Sequence, residues 1–431
     1  MQYYSLNQIS PKVSFKEATI NGQAPDKGLY FPERIPVLPD GFISNISLLS
    51  KEEIALKVIE PYVGDSIPAK TLRSIVEETI DFEFPLVPVS DDISSLELYH
   101  GPTLAFKDVG ARFMSRCLGY FVENNKRKIT VLVATSGDTG GAVANGFYNI
   151  DGVDVVILYP AGKVSSIQEL QLTTLGNNIT ALEIDGRFDD CQEMVKLAFA
   201  DAAITRKMFL TSANSINVAR WLPQQFYYFF AYQQWKEKRP PVVCVPSGNF
   251  GNICAGMLAH ESGLPVTHFI AACNSNDIVP SYLNNGKYLP KVARATLSNA
   301  MDVGNPSNFV RILEMYEQHF DALKGKLSSF SISDEETVDV IGAVYKNHDY
   351  LLDPHGAVAF IALERYLKLH AHEKGFILET AHPVKFPEAV ESIIGKKIEV
   401  PLSVSYLLDK KKEMIKLDAN YNSFKDYLLS R

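Results

Sequence analysis

PPVVCVPSGNFGNICAGMLAHESG, residues 240 to 263, places an apolar run, a glycine-rich turn and a helical stretch in direct succession. Val242, Val243 and Val245 are β-branched and suit a strand buried on both faces. Gly248 and Gly251 mark a turn, and ICAGMLAHESG continues with helix-forming residues. A strand that feeds a helix through a short turn is half of a β-α-β unit, the building block of parallel sheets.

The same alternation recurs on both sides of that stretch. KITVLVATS leads into a second glycine-rich turn and GGAVANGFYN, and DVVILYP leads into AGKVSSIQELQLTTLG. NITALEI precedes a helix over DDCQEMVKLAFADAAI, THFIAAC follows residue 263, and GFILETA closes the series. The pattern predicts a large α/β core, a parallel sheet covered by helices on both faces, from about 128 to 382.

Residues 1 to about 95 read as mixed helices and loops. Pro32, Pro36 and Pro39 exclude a helix from GLYFPERIPVLPDG. SKEEIALKVIEPYV and AKTLRSIVEETI carry helical periodicity, the first opened by a capping box of Ser50 and Glu53. The chain shows no internal repeat. Its 431 residues exceed one ordinary core, which predicts two or three domains.

Composition narrows the class. A net charge of -8 without charged blocks argues against a nucleic-acid-binding face, and no apolar run approaches a membrane span. MQYYSLNQISPKVSF lacks the basic and apolar regions of a signal peptide. Five cysteines, an odd count without a CxxC pair, indicate neither a disulfide framework nor a zinc ribbon. A cytoplasmic globular protein is expected.

Several stretches could carry chemistry. In HGPTLAFKDVG, residues 100 to 110, Lys107 lies between Leu104, Ala105 and Phe106 on one side and Val109 on the other. It is either a surface lysine or one kept partly dry so that its neutral amine can attack a carbonyl. SGNFGN and TSGDTGGA each follow a strand and precede a helix, where backbone N–H groups can seat an anion; a plain tight turn is the other reading. Neither matches GxGxxG or GxxxxGK[ST], so a phosphate there need not belong to a nucleotide. Arg220, after the polar donors of NSIN, suits a second oxyanion or simply stacks on Trp221.

Metal and hydrolase readings are weak. His370, His372 and Glu373 match no HExxH spacing, no GxSxG occurs, and His382 reads as structural. A lysine, two anion seats, an arginine beside polar donors and no metal motif fit one idea, pyridoxal phosphate held as a Schiff base.

HGPTLAFKD, ATSGDTG, YPAGKVSSIQELQ, NSINVAR, PSGNFGN and ETAHPVKF, in this order, resemble the threonine synthase family, and GLYFP resembles its N-terminal domain. The resemblance spans nearly the whole chain. It implies a fold-type II pyridoxal-phosphate enzyme of tryptophan-synthase-β-like fold, with an N-terminal domain over 1–95, a catalytic domain over 96–390 and a C-terminal segment over 391–431. The activity implied is a carbon–oxygen lyase of threonine biosynthesis that turns O-phospho-L-homoserine and water into L-threonine and phosphate.

The resemblance also assigns residues. Lys107 would carry the cofactor and then move protons, its apolar flanks favouring the neutral amine. Gly248, Asn249, Phe250, Gly251 and Asn252 would cradle the cofactor phosphate, and Thr380 would face the pyridine nitrogen. Thr135, Ser136, Gly137 and Thr139 would bind the substrate carboxylate and its neighbourhood. Asp138 stands where many relatives of the wider fold carry asparagine beside the ring hydroxyl. Ser215, Asn217 and Arg220 would seat the substrate phosphate, with Asn249 adjacent and Lys163 assisting. A serine or threonine dehydratase would share Lys107 and the glycine loop but needs no second phosphate seat; a non-catalytic phospho-metabolite-binding protein would be colourless. A monomer or homodimer is expected. Without the long N-terminal extension of the plant enzymes, S-adenosylmethionine activation is not expected.

Overall fold

The valine- and isoleucine-rich runs become strands of two separate parallel sheets in a computed structural model, which describes residues 1–123 and 128–431. Each sheet belongs to its own unit, and both units are discontinuous along the chain.

One unit comprises residues 31–106 and 221–399, together with Met1. Its six-stranded sheet runs in the order Leu327–Ser331, His268–Cys273, Val242–Pro246, Gly375–Glu379, Ile93–Glu97, Leu86–Pro88. The first five strands are parallel and only Leu86–Pro88 is antiparallel. Val242, Cys244, Ile270 and Ile377 pack against Ala357, Val358, Phe360 and Leu363 of the helix Pro354–Leu369. Val243, Val245, Phe269 and Phe376, which alternate with them and so point to the opposite face, are buried too. A sheet covered on both faces accounts for the near-continuous apolar strands.

The other unit comprises residues 2–30, 107–220 and 400–431. Its five-stranded sheet is all parallel and runs in the order Ile415–Asp418, Ile179–Asp185, Val153–Pro160, Ile129–Ala134, Phe209–Ser212. Leu132, Val156, Leu158, Leu182 and Ile184 form a core with Cys191, Met194 and Val195, closed by Phe424 and Leu428 from the C-terminal helix Tyr421–Ser430. Near the N-terminus, helix Phe15–Asn21 starts on a capping box of Ser14 and Glu17 and sets Phe15 beside Phe113 and Phe121.

Local expectations met mixed outcomes. Ser50 and Glu53 form the capping box of helix Lys51–Val63, and Ala69–Thr79 is helical. The first 95 residues also contain the short strands Gln2–Ser5, Val13–Ser14, Tyr30–Pro32 and Leu86–Pro88, too brief to show a period of two. The helix expected across 189–204 breaks: Phe188–Ala200 ends, Asp201 accepts the N–H of Ala203 at 2.8 Å, and Ala202–Lys207 begins. An aspartate that caps favours a new start over continuation. The helix after TSG starts at Asp138 rather than at Gly140, which puts Asp138 and Thr139 on its first turn. All five cysteines are buried free thiols. Among the described residues no helix is long and apolar enough to cross a membrane.

Candidate active site

Lys107 is the first residue of helix Lys107–Val122, and its side chain is 16% exposed. Leu104, Ala105 and Val109 are buried around it in sequence, as the apolar flanks foretold. The setting is not purely apolar, however: Nζ lies 3.4 Å from Oδ2 of Asp138. The apolar flanks are thus joined by a carboxylate that the sequence pattern around Lys107 did not announce.

Asp138 is itself held. Its Oδ1 accepts a 2.9 Å hydrogen bond from Nε2 of Gln168, a buried residue on helix Ser166–Thr173. Gln168 also closes the capping box of that helix, its Oε1 accepting the N–H of Ser165 at 3.1 Å. The turn before Asp138 is shaped around this amide. Gly137 has φ 137°, and a Cβ there would stand 2.5 Å from the Gln168 amide carbon. Thr135 is fully buried, and its hydroxyl oxygen accepts the N–H groups of Gly137 and Gly140 at 3.0 and 2.9 Å. Its oxygen therefore builds the turn, while Ser136 and Thr139 keep half-buried hydroxyls.

The same unit carries Arg220. It is buried, donates through Nη1 to the carbonyl of Ala213, and lies against Gly110 of the lysine-bearing helix. A Cβ on Gly110 would meet the Arg220 carbonyl at 2.6 Å and Nε at 3.1 Å, so glycine lets the arginine approach within one turn of Lys107. Ser215 is half-buried. Asn217 is fully buried with its amide engaged: Nδ2 donates to the carbonyl of Thr19 at 2.9 Å, and Oδ1 accepts the N–H of Ala219 at 3.0 Å. That makes Asn217 a brace for the NSINVAR segment. Lys163 is exposed, in the turn after Val153–Pro160.

The other unit holds the glycine loop. Residues 247–250 join strand Val242–Pro246 to helix Gly251–Glu261, with Phe250 left-handed at φ 60° and packed edge-on to Phe309. A Cβ on Gly248 would stand 2.7 Å from Met301 Cα and 2.8 Å from the Ala300 carbonyl, so the backbones nearly touch. The carbonyl of Asn249 accepts both the N–H and Nδ2 of Asn308, each at 3.1 Å. Asn308 is in turn fixed by Nη1 of Arg311 at 2.6 Å. It is the Arg311 guanidinium, 4.3 Å from the ring centre, that stacks on Trp221.

One group in this loop is poised for an anion. Asn252 is buried on the first helical turn, and Tyr228 donates 2.8 Å bonds to its Oδ1 and its carbonyl. That fixes the amide, yet Nδ2 has no hydrogen-bond partner among the described residues. A buried orphan donor is costly unless a ligand meets it, and the N–H groups of a first turn lack intrahelical partners as well. A phosphate satisfies both, so these residues fit that of a pyridoxal cofactor.

Thr380 is buried just beyond strand Gly375–Glu379. Its carbonyl accepts the N–H of Phe106 at 2.9 Å, and that of Leu104 accepts the N–H of His382 at 3.1 Å. The segment that leads into Lys107 is thereby stitched to ETAHP. His382 accepts the N–H of Val384 and packs edge-on to Tyr99; burial pulls its pKa down to about 4, as befits a neutral structural histidine. His370 stacks on Tyr366.

Sequence reasoning missed Gln168, Asn308 and Arg311. Gln168 lay inside a quoted motif, YPAGKVSSIQELQ, where its helix position was visible but not its partner.

Comparison with known proteins matches residues 95–378 to the family "Pyridoxal-phosphate dependent enzyme", 2–80 to "Threonine synthase N terminus" and 356–428 to "Threonine synthase, C-terminal". The threonine synthase of Haemophilus influenzae is 44% identical over 435 residues, with 100% of both chains covered. The crystal structure of threonine synthase from Escherichia coli superposes with a TM-score of 0.92 at 41% identity, covering 100% of each chain. A threonine synthase from Brucella melitensis, crystallised with pyridoxal phosphate bound, gives a TM-score of 0.92 at 34% identity, covering 99% of this chain and 98% of that one.

Proposed function

We infer the reaction from the premise that this chain belongs to the threonine synthases, a family of pyridoxal-phosphate-dependent enzymes. The substrate we propose is O-phospho-L-homoserine, converted with water to L-threonine and phosphate. The observation that carries this reading is the array on and around one helix: Lys107 beside Asp138, Asp138 held by Gln168, and Arg220 against Gly110.

The glycine loop with Asn252 would hold the cofactor phosphate, Lys107 its aldehyde carbon, and Thr380 its ring nitrogen. Bound there, the cofactor supplies an electron sink for charge that develops at the substrate α-carbon. Lys107 Nζ would take a proton from the α-carbon, give it up again, and only then take one from the β-carbon, with Asp138 beside the ammonium formed each time. Ser136 and Thr139 would orient the substrate carboxylate. Arg220, with Ser215 near it in sequence, stabilises phosphate as it leaves the γ-carbon, and Asn217 braces that segment. A hydroxyl at Thr380 does not hold the ring nitrogen protonated, so these side chains carry more of the charge stabilisation.

We also propose that 1–95, 96–390 and 391–431 act as N-terminal domain, catalytic domain and C-terminal segment; the family matches at 2–80 and 95–378 support the first boundary, while the C-terminal match begins at 356 and the two compact units cut across all three segments. A cytoplasmic location belongs to the same proposal. The test is release of phosphate and threonine from O-phosphohomoserine by the purified chain, and its loss in Lys107→Ala. Deamination of serine without threonine formation from the phosphorylated substrate would refute it.

A further inference from the structure

Glu379 closes strand Gly375–Glu379 immediately before Thr380, and it is fully buried. Its neighbour Asp353, also fully buried, caps helix Pro354–Leu369. The two carboxyls differ sharply in their donors. Asp353 Oδ1 receives the N–H of His355, Nδ1 of His355 at 2.7 Å and the N–H of Gly356 at 3.3 Å; Oδ2 receives the N–H of Ala381 at 3.2 Å. Glu379 Oε1 receives only the N–H of Asp353, at 2.6 Å, and Oε2 has no hydrogen-bond partner among the described residues. Oε2 occupies the space above Gly356, where a Cβ would stand 1.5 Å from it.

A carboxylate with four donors is stable as an anion, and one with a single donor is not. The groups around Glu379 sharpen the difference. Asp353 and Glu97 lend negative charge; Tyr99 and Tyr350 contribute neutral phenols; His355 is engaged by Asp353, and His100 by Glu97 at 2.7 Å. Burial first, and the Asp353 charge second, push the Glu379 carboxyl well above the usual carboxylate range.

Thr380 is therefore bracketed. The Asp353 N–H holds the residue before it through Glu379, and Asp353 Oδ2 holds the N–H of the residue after it. We propose that Glu379 is a positioning residue that works as a neutral carboxylic acid, fixing Thr380 for the cofactor ring nitrogen without adding a charge beside it. This rests on the role assigned to Thr380 above.

Glu379→Gln, Glu379→Leu and Thr380→Val test it. Infrared difference spectra of the holoenzyme, wild type minus Glu379→Gln, should show the carbonyl stretch of a protonated carboxylic acid at neutral pH; its absence overturns the proposal. Glu379→Leu strands the Asp353 N–H and should weaken cofactor binding and lower kcat about tenfold or more, while KM changes less. Glu379→Gln, which keeps a neutral acceptor, should recover most of that loss; equal losses in both variants overturn the proposal.

The proton also predicts a pH effect. The folded chain binds it where the unfolded chain does not, so stability falls as pH rises above the ordinary carboxylate range. Relative to Glu379→Gln, the wild-type folding equilibrium should weaken by up to about tenfold per pH unit; parallel pH profiles overturn the idea. That comparison and the infrared band decide the matter if Glu379→Leu does not fold. Thr380→Val separates the two readings: no effect on cofactor spectrum or kcat refutes the role of Thr380 itself, whereas an effect there with none in Glu379→Leu refutes only the positioning.

Discussion

Gln168→Met should damage catalysis through Asp138, the carboxylate that the amide holds. The amide donates at 2.9 Å to Asp138, both partners are buried, and Asp138 lies 3.4 Å from Lys107 Nζ. A hydrogen bond to a charged acceptor contributes about 1.5–3 kcal/mol, and methionine fills the volume without replacing it. If Asp138 stabilises the Lys107 ammonium in the transition state, that energy converts to a roughly ten- to hundredfold loss in kcat/KM. Gln168 also caps its helix, so a stability effect must be separated. Ser165→Ala breaks the same capping box at a cost of about 1 kcal/mol in stability but leaves the Asp138 contact in place, and kcat/KM should hold. Phosphate release from O-phosphohomoserine, with thermal unfolding of both variants, separates the two effects. A Gln168→Met enzyme within about threefold of wild type, or one no worse than Ser165→Ala, would refute the Gln168–Asp138–Lys107 relay.

Arg220→Leu should cut kcat/KM for O-phosphohomoserine by about ten- to a hundredfold or more, while slow deamination of serine suffers much less; equal losses would make Arg220 merely structural. Gly248→Val would drive a side chain into Met301 and Ala300, an overpacking cost of about 1–3 kcal/mol, and should raise the cofactor dissociation constant, with an unchanged titration counting against the phosphate loop. His268 and His382 titrate near pH 4 when folded, against an ordinary 6.5, because burial disfavours the imidazolium. The unfolded chain binds more protons between those values, so stability should fall as pH drops from 6.5 to 4. His268→Gln should flatten that fall in acid unfolding curves; a steeper curve would contradict the sign.

The sequence pattern was informative wherever a strand is buried on both faces. KITVLVATS, DVVILYP and PPVVCVP are almost continuously apolar because both faces of these strands are covered, and NITALEI, with Thr180 and Glu183 only half-buried, is a strand too. Ile93–Glu97 and Leu327–Ser331 escaped notice because ISSLE and LSSFS interrupt that run with serines. The site divided along a similar line. Lys107, the two glycine turns and Arg220 announce themselves by residue type in context. Gln168, Asn308 and Arg311 do not, since each acts through a partner distant in sequence, and spacing does not encode such pairs. Asn217 shows the converse: a polar residue in a suggestive motif whose amide is taken up by Thr19 and Ala219.

The edge strand Ile415–Asp418 has a consequence for biosynthesis. Its partner, Ile179–Asp185, emerges from the ribosome some 230 residues earlier, which at about 5–20 residues per second means roughly ten to fifty seconds of exposure. Throughout that interval the nascent sheet shows an unpaired edge, and the core lacks the cover of Phe424 and Leu428. Folding of that unit is thus completed after translation of its middle segment, and the interval is when a holdase chaperone would find its substrate.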